Sequence, residues 1–151
     1  MKFSTREDIE APLDHVFEKV SNFDSFERSM LRRGVKVSRN QDACVAGTKW
    51  HANFRFRGKD RDIDLELQQI APDAGYDIGF VSGGIEGVSK VELVPLSPTR
   101  TRLMVETVLS PKTLAARLLV QSLKLAKSSL TQRYKSRIAA LSEEIEESYG
   151  K

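Results

Sequence analysis

From Pro111 to about Ser148 the chain has no glycine, and no proline after the first of these residues. A breaker-free run of that length predicts one long helix, with Ser110 at its cap and Pro111 at its first position. Apolar residues recur at Ala116, Leu119, Leu123, Ala126, Leu130, Tyr134, Ile138, Leu141 and Ile145. These steps of three and four keep them on one stripe. Arg117, Gln121, Lys124, Ser128, Lys135 and Glu146 fall on the opposite side. Between Leu114 and Leu125 the apolar sector widens, with Leu114, Leu118 and Leu125 to one side of the stripe and Val120 to the other, which implies a deeper bed there or a ligand. At about 1.5 Å per residue such a helix spans roughly 57 Å, whereas a ten-residue strand spans only about 33 Å. It is therefore expected to bend, with Ser128-Ser129 as the weak point, or to project past its bed. Glu143, Glu144, Glu146 and Glu147 sit at the negative end of the helix dipole, so fraying is expected there.

The rest of the chain must supply that bed. A chain of 151 residues is the size of one domain and can bury a core without covalent staples, so residues 1–151 are read as a single domain. The charged fraction of 30% and apolar fraction of 40% are those of a globular protein. The net charge of +3 is small, and no basic stripe interleaved with aromatics marks a nucleic-acid surface. Cys44 is the only cysteine, which excludes an internal disulfide and a thiolate zinc site and favours a reducing compartment. No secretory leader or membrane-spanning run is visible, and a cytoplasmic protein is expected.

Residues 2 to 10 alternate as a strand. Ala11-Pro12 then opens a short helix carrying Leu13, Val16, Phe17 and Val20. Ser21-Asn22 ends it, and Asp24 or Ser25 is the expected cap of a second short helix that stops at Gly34. From Gly34 to Leu109 the sequence is all turns and alternation. Val35 to Ser38 is a strand; Trp50, Ala52, Phe54 and Phe56 share a face of the next. Gly58-Lys59-Asp60 is a tight turn, after which Ile63, Leu65 and Leu67 lie opposite Asp62, Asp64 and Glu66. Tyr76, Ile78 and Phe80 follow on one parity after the turn Pro72 to Gly75, and Gly83-Gly84 turns the chain again. Val88 to Val94 carries apolar residues on both parities. Leu103, Val105, Thr107 and Leu109 then alternate with Arg102, Met104 and Glu106. Strands joined by such short turns must be antiparallel. Their single apolar face needs a cover, and only the terminal helix is long enough to provide it.

These features resemble the START-like, helix-grip proteins, the SRPBCC superfamily, which includes polyketide cyclases, coenzyme Q-binding proteins, START lipid-transfer domains and pathogenesis-related ligand carriers. The resemblance spans the chain and rests on the opening strand running into Ile9-Glu10-Ala11-Pro12, the Val16-Phe17 pair, Phe23 and Phe26 around the helix-to-helix turn, the Gly47-Thr48 strand start and the capped terminal helix. It implies an α+β helix-grip fold: a curved antiparallel sheet of about seven strands around a long C-terminal helix, with two short helices after strand one. It also implies a cavity between sheet and helix for an apolar small molecule or lipid. By strand parity the ligand-binding residues would be Trp50, Phe54, Phe56, Leu65, Leu67, Tyr76, Ile78, Phe80, Leu103 and Val105, with Ile63 beside them. From the helix, Leu118, Ser122, Leu125 and Ser129 would face them, together with Leu119 and Ala126. The broad N-terminal half of the helix would roof the pocket, and the narrower C-terminal half would anchor against the core or a second subunit.

Neither a metal site nor a phosphate loop is indicated by any motif, and no cofactor is expected. His15 lies off the apolar face of the first helix and His51 opposite Trp50, so both are expected at solvent. Tyr76, Thr107, Ser122, Ser129 and Tyr134 are the polar groups that could point inward, with Gln69 if its strand is regular that far. Acid-base chemistry would call for an inward carboxylate or histidine, and the central strands contain none; no catalytic residue is assigned. The reading is a carrier or sensor of an apolar small molecule or lipid. A cyclase- or dehydratase-like enzyme using the same cavity, and an interaction module with a filled core, stand as alternatives. Basic residues on the terminal helix add a transient membrane surface as a further partner.

Overall fold

A computed structural model describes residues 1–150; Lys151 lies outside them. The chain runs β1 (Lys2–Ile9), α1 (Leu13–Val20), α2 (Phe23–Arg32), β2 (Lys36–Arg39), β3 (Lys49–Phe56), β4 (Lys59–Ala71), β5 (Gly75–Ser82), β6 (Ile85–Ser97), β7 (Arg100–Pro111), α3 (Leu114–Leu125) and α4 (Lys127–Tyr149). The seven strands form one antiparallel sheet in the order β1-β7-β6-β5-β4-β3-β2. Neighbours in sequence are neighbours in space, except that β1 crosses over to pair with β7. This is the α+β helix-grip architecture expected from the alternation.

Local chemistry explains the boundaries, some of which differ from the expected ones. The turn between β3 and β4 is Arg57-Gly58, one residue earlier than expected. Both residues have positive φ, 53° and 72°, as a two-residue hairpin demands. Gly83-Gly84 makes the same kind of turn with φ of 54° and 81°. Helix α2 is capped by Asn22, whose side chain accepts from the Ser25 amide at 3.1 Å, so the residue read as a breaker is the cap. Similarly, β7 continues through Pro111, and Thr113 rather than Ser110 caps α3 by accepting from the Ala116 amide at 3.1 Å.

The terminal helix is interrupted at Ala126, not at the serine pair. Ala126 departs from helical geometry with φ −103° and ψ 14°, and its amide bonds back to Leu123, tightening the last turn of α3. The apolar stripe itself holds: from Ala116 to Ile145 every residue of it is buried or half-buried. The acidic end does not fray, and α4 runs to Tyr149. It is tied down by the Glu10 amide donating to the Glu146 carboxylate at 2.9 Å. His15, expected at solvent, is half-buried instead, with its ring nitrogen 3.2 Å from the Ile145 carbonyl and 2.9 Å from the Ser148 hydroxyl.

Two apolar clusters fill the inner side of the sheet. One joins Ile9, Ala11, Val16, Val20, Leu93, Leu103, Val105 and Ile145; the other joins Phe23, Trp50 and Leu67. Tyr76 touches both. On the outer face charges alternate, with Lys49 beside Glu66 at 3.8 Å and Arg55 beside Asp60 at 3.3 Å. His51 lies there too, opposite Trp50 as expected, 2.7 Å from Asp64 and 3.3 Å from Asp62.

Thr101 is fully buried and donates to the Ala11 carbonyl at 2.9 Å. Thr101→Val keeps the shape but orphans that carbonyl, and equilibrium denaturation is expected to show a loss of about 1–3 kcal/mol. The hydrogen bond to Asp64, assisted by Asp62, holds the His51 pKa above its ordinary 6.5. A raised folded-state value means that the stabilisation is complete below the unfolded pKa and is lost as pH rises through the folded one. Denaturant midpoints of the wild type should therefore fall relative to His51→Gln as pH is raised from below 6.5 into the alkaline range.

Candidate ligand-binding cavity

Between the two clusters the sheet and its cover do not meet, leaving a cavity of about 790 Å³. That is within the range of small-molecule sites, roughly 300–1,000 Å³. Its floor is the inner face of β3 to β7, through Trp50, Phe54, Leu65, Ile78, Val91 and Val105. Helix α2 contributes one wall with Phe23, Phe26 and Met30, and α4 the other with Ile138 and Leu141. Helical spacing sets both walls: Phe23, Phe26, Glu27 and Met30 share one face of α2, and Ile138 and Leu141 continue the α4 stripe.

Strand parity identifies much of this floor. Trp50, Phe54, Ile63, Leu65, Tyr76, Ile78, Leu103 and Val105 all line the cavity. The other residues expected there lie elsewhere. Leu67 is 0% exposed and packs into the cluster of Phe23 and Trp50. Phe56 is flanked by the Arg57 and Arg61 guanidinium groups, each 5.6 Å from its ring, near the open end of its hairpin. Phe80 leans over Gly87, where an added Cβ would meet its ring at 2.3 Å.

On the helix, none of Leu118, Ser122, Leu125 and Ser129 reaches the cavity. Leu118 and Leu125 are 61% and 92% exposed, Ser122 accepts a hydrogen bond from Arg57, and Ser129 is exposed. Leu119 and Ala126 are half-buried and likewise line no part of it. The roofing expected of the N-terminal half falls instead to the C-terminal half, which both walls the cavity and anchors the helix. The reason is rotation about the helix axis, because the leucines that widen the apolar sector of α3 lie on its side away from the sheet. Gln69 is turned outward by a register shift between Leu67 and Gln69, and Ile70 takes the inward place.

The polar groups at the cavity are mostly engaged. The Tyr76 hydroxyl donates to the Val20 carbonyl at 2.7 Å, and its burial raises its pKa above the ordinary value. Ser89 on the cavity wall bonds Thr107 at 2.7 Å, which bonds Tyr134 at 3.1 Å, making a chain of three hydroxyls toward α4. Tyr134 also has a raised pKa, chiefly from desolvation. Glu27 is a carboxylate in the wall that strand parity does not reveal. It accepts from the Trp50 indole at 2.6 Å and lies 3.4 Å from Arg39. Its four-residue spacing from Phe23 is the sequence signal for it. Arg39 in turn donates to Asp24 at 2.7 Å and to the Cys44 sulfur at 2.7 Å, and Asp24 is the main cause of its raised pKa. Cys44 is thus a half-buried acceptor at the edge of the second cluster. Arg33 and Arg137 also line the cavity, and among the described residues neither is ion-paired.

A second concavity of about 730 Å³ lies largely on the outer face, among Lys49, Asp64, Glu66, Gln68 and Lys112. Its charged side chains suit water rather than an apolar ligand. No known protein family profile matches the sequence, and no curated protein matches it. Solved structures do. The aromatase/cyclase ZhuI from Streptomyces sp. R1128 superposes with a TM-score of 0.69 at 12% identity, covering 97% of this chain and 93% of that one. Truncated norcoclaurine synthase from Thalictrum flavum gives 0.68 at 14% identity, with 97% and 91% covered. Ara h 8.0201 gives 0.62 at 14% identity, with 96% and 97% covered. The chain shares the helix-grip fold of these structures.

Proposed function

We propose that the protein holds an apolar small molecule or lipid in the cavity between its sheet and α4, as a carrier or sensor. The observation that carries this reading is a cavity of about 790 Å³ walled by Phe23, Phe54, Ile78, Ile138 and Leu141. A pocket of that make-up binds by removing apolar surface from water, at about 25 cal/mol per Å². The Ser89 hydroxyl and the Arg33 and Arg137 side chains supply the few polar groups that orient a ligand. Two guanidinium groups at the wall favour a ligand with one anionic end.

Enzymatic turnover is a second reading, favoured by one observation, the Glu27 carboxylate in the wall. Its separate oxygen, Oε2, makes no hydrogen bond among the described residues, because both the indole and Arg39 address Oε1. It could take a proton from a bound substrate, in the manner of a cyclase or dehydratase.

Trp50 is the sole tryptophan and forms part of the floor, so its emission reports on occupancy. Titration with a long-chain fatty acid or an anionic naphthalene dye should change that emission saturably. Ile138→Trp, which fills the cavity, should weaken uptake at least about tenfold, as expected for displacing a ligand from buried apolar surface. Native mass spectrometry of protein from its own host should show the co-purifying species. A folded wild type that takes up neither probe nor any cellular ligand would remove the carrier reading. Turnover of a captured ligand that Glu27→Gln abolishes, with binding intact, would establish the enzyme instead.

A further inference from the structure

Helix α3 is apolar on two opposite sides, and the protein covers only one. Ala116 and Val120, 1% and 4% exposed, face inward, with Leu119 and Leu123 half-buried beside them. At about 100° per residue, Leu114, Leu118 and Leu125 fall within about 40° of one another on the other side. They are 74%, 61% and 92% exposed, so a row of leucines stands in water along the helix. Scattered exposed leucines are ordinary; three in register on one helix mark a contact surface.

Charge identifies the partner. From Thr107 to Ser142 the sequence contains seven lysines and arginines and no aspartate or glutamate, in a protein whose net charge is only +3. Lys112, Arg117, Lys124 and Lys127 are exposed on and beside α3. Arg57 reaches in from the β3–β4 turn to Ser122, adding a fifth cation to this side. An apolar row on a helix whose own charged residues are all cations fits an interface that is apolar within and anionic at its surface. A second copy of the chain docking through the same row would oppose these cations to themselves. No described helix is long and apolar enough to cross a membrane.

We propose that α3 docks the protein peripherally on an anionic lipid bilayer. The helix lies in the plane of the surface, with Leu114, Leu118 and Leu125 at the acyl boundary and Arg117, Lys124 and Lys127 among the headgroups. This surface is distinct from the cavity and does not depend on what the cavity holds.

Flotation of the full chain with vesicles tests it. The wild type should float with phosphatidylcholine vesicles containing phosphatidylglycerol and remain behind with phosphatidylcholine alone, and binding should weaken as salt is added. The triple variant Leu114→Ser, Leu118→Ser, Leu125→Ser alters only exposed positions. Its denaturant midpoint should match the wild type while its partition coefficient falls at least about tenfold. Lys124→Gln should cost about fivefold, and Ile138→Trp, which blocks the cavity, nothing. Failure of the folded wild type to float with anionic vesicles overturns the proposal, as does undiminished binding by the triple variant. A concentration-dependent dimer that the triple variant abolishes would assign this face to a second copy instead and overturn it as well.

Discussion

A seven-stranded sheet is wider than any one helix that covers it. With strands about 4.8 Å apart, the outer two of seven are separated by roughly 29 Å, while a helix with its side chains is about 10–12 Å across. Helix α4 therefore beds on only part of the inner face, against β1 and the cluster containing Leu103, Val105 and Ile145. The strands farther across are covered by α2 through Phe23, whose ring lies tilted against Trp50 and edge-on to Tyr76, with centroids 5.4 Å and 5.1 Å away. What lies between the two covers is the cavity. It follows from the geometry of layers, and Tyr76, bonded to Val20 and touching both clusters, keeps the covers in register around it.

Holding a helix over an incompletely filled bed requires anchors at its far end. The β1–β7 pairing brings the N-terminal segment to where α4 ends, and Glu10 and His15 then tie that end by hydrogen bonds spanning 136 and 130 residues of sequence. Unfavourable charge at a helix C-terminus is worth only about 0.3–1 kcal/mol. Several tertiary contacts outweigh it, which is why the acidic run beyond Ser142 remains helical. The bonds from Glu10 and His15 connect groups remote in sequence, so no local pattern of charges predicts them.

How much of the fold was legible follows the same line between local and non-local physics. Period-two alternation places Trp50, Phe54, Leu65, Ile78 and Val105 on the inner face because parity is a property of the strand alone. Parity says nothing about position along the strand relative to the covers. For that reason Leu67, Phe56 and Phe80, on the inward parity too, are buried in a cluster, flanked by arginines, or turned over a glycine. The α4 stripe is legible throughout, and Ala126, with no proline or glycine beside it, gives no local warning of the interruption. Glu27 was accessible in principle, since it shares a helical face with Phe23, but an acid among aromatics on a short helix reads as a solvated neighbour.

The misplacement of Leu118 and Leu125 has a more general cause. A wide apolar sector on a helix is evidence that something apolar covers it, and the nearest candidate is the protein's own sheet. In α3 the sheet accounts for Ala116, Leu119, Val120 and Leu123, and the remaining leucines point away. Burying them internally would require α3 to be sandwiched between two layers, which a domain with one sheet does not contain. The interruption at Ala126 separates the two halves of the terminal helix into elements with different duties: α4 completes the cavity and carries its own anchors, whereas α3 rests on β7 and leaves its outer face free. A change on that outer face leaves the lining of the cavity untouched. That separation would be lost if the helix were the uniform lid its unbroken sequence suggests.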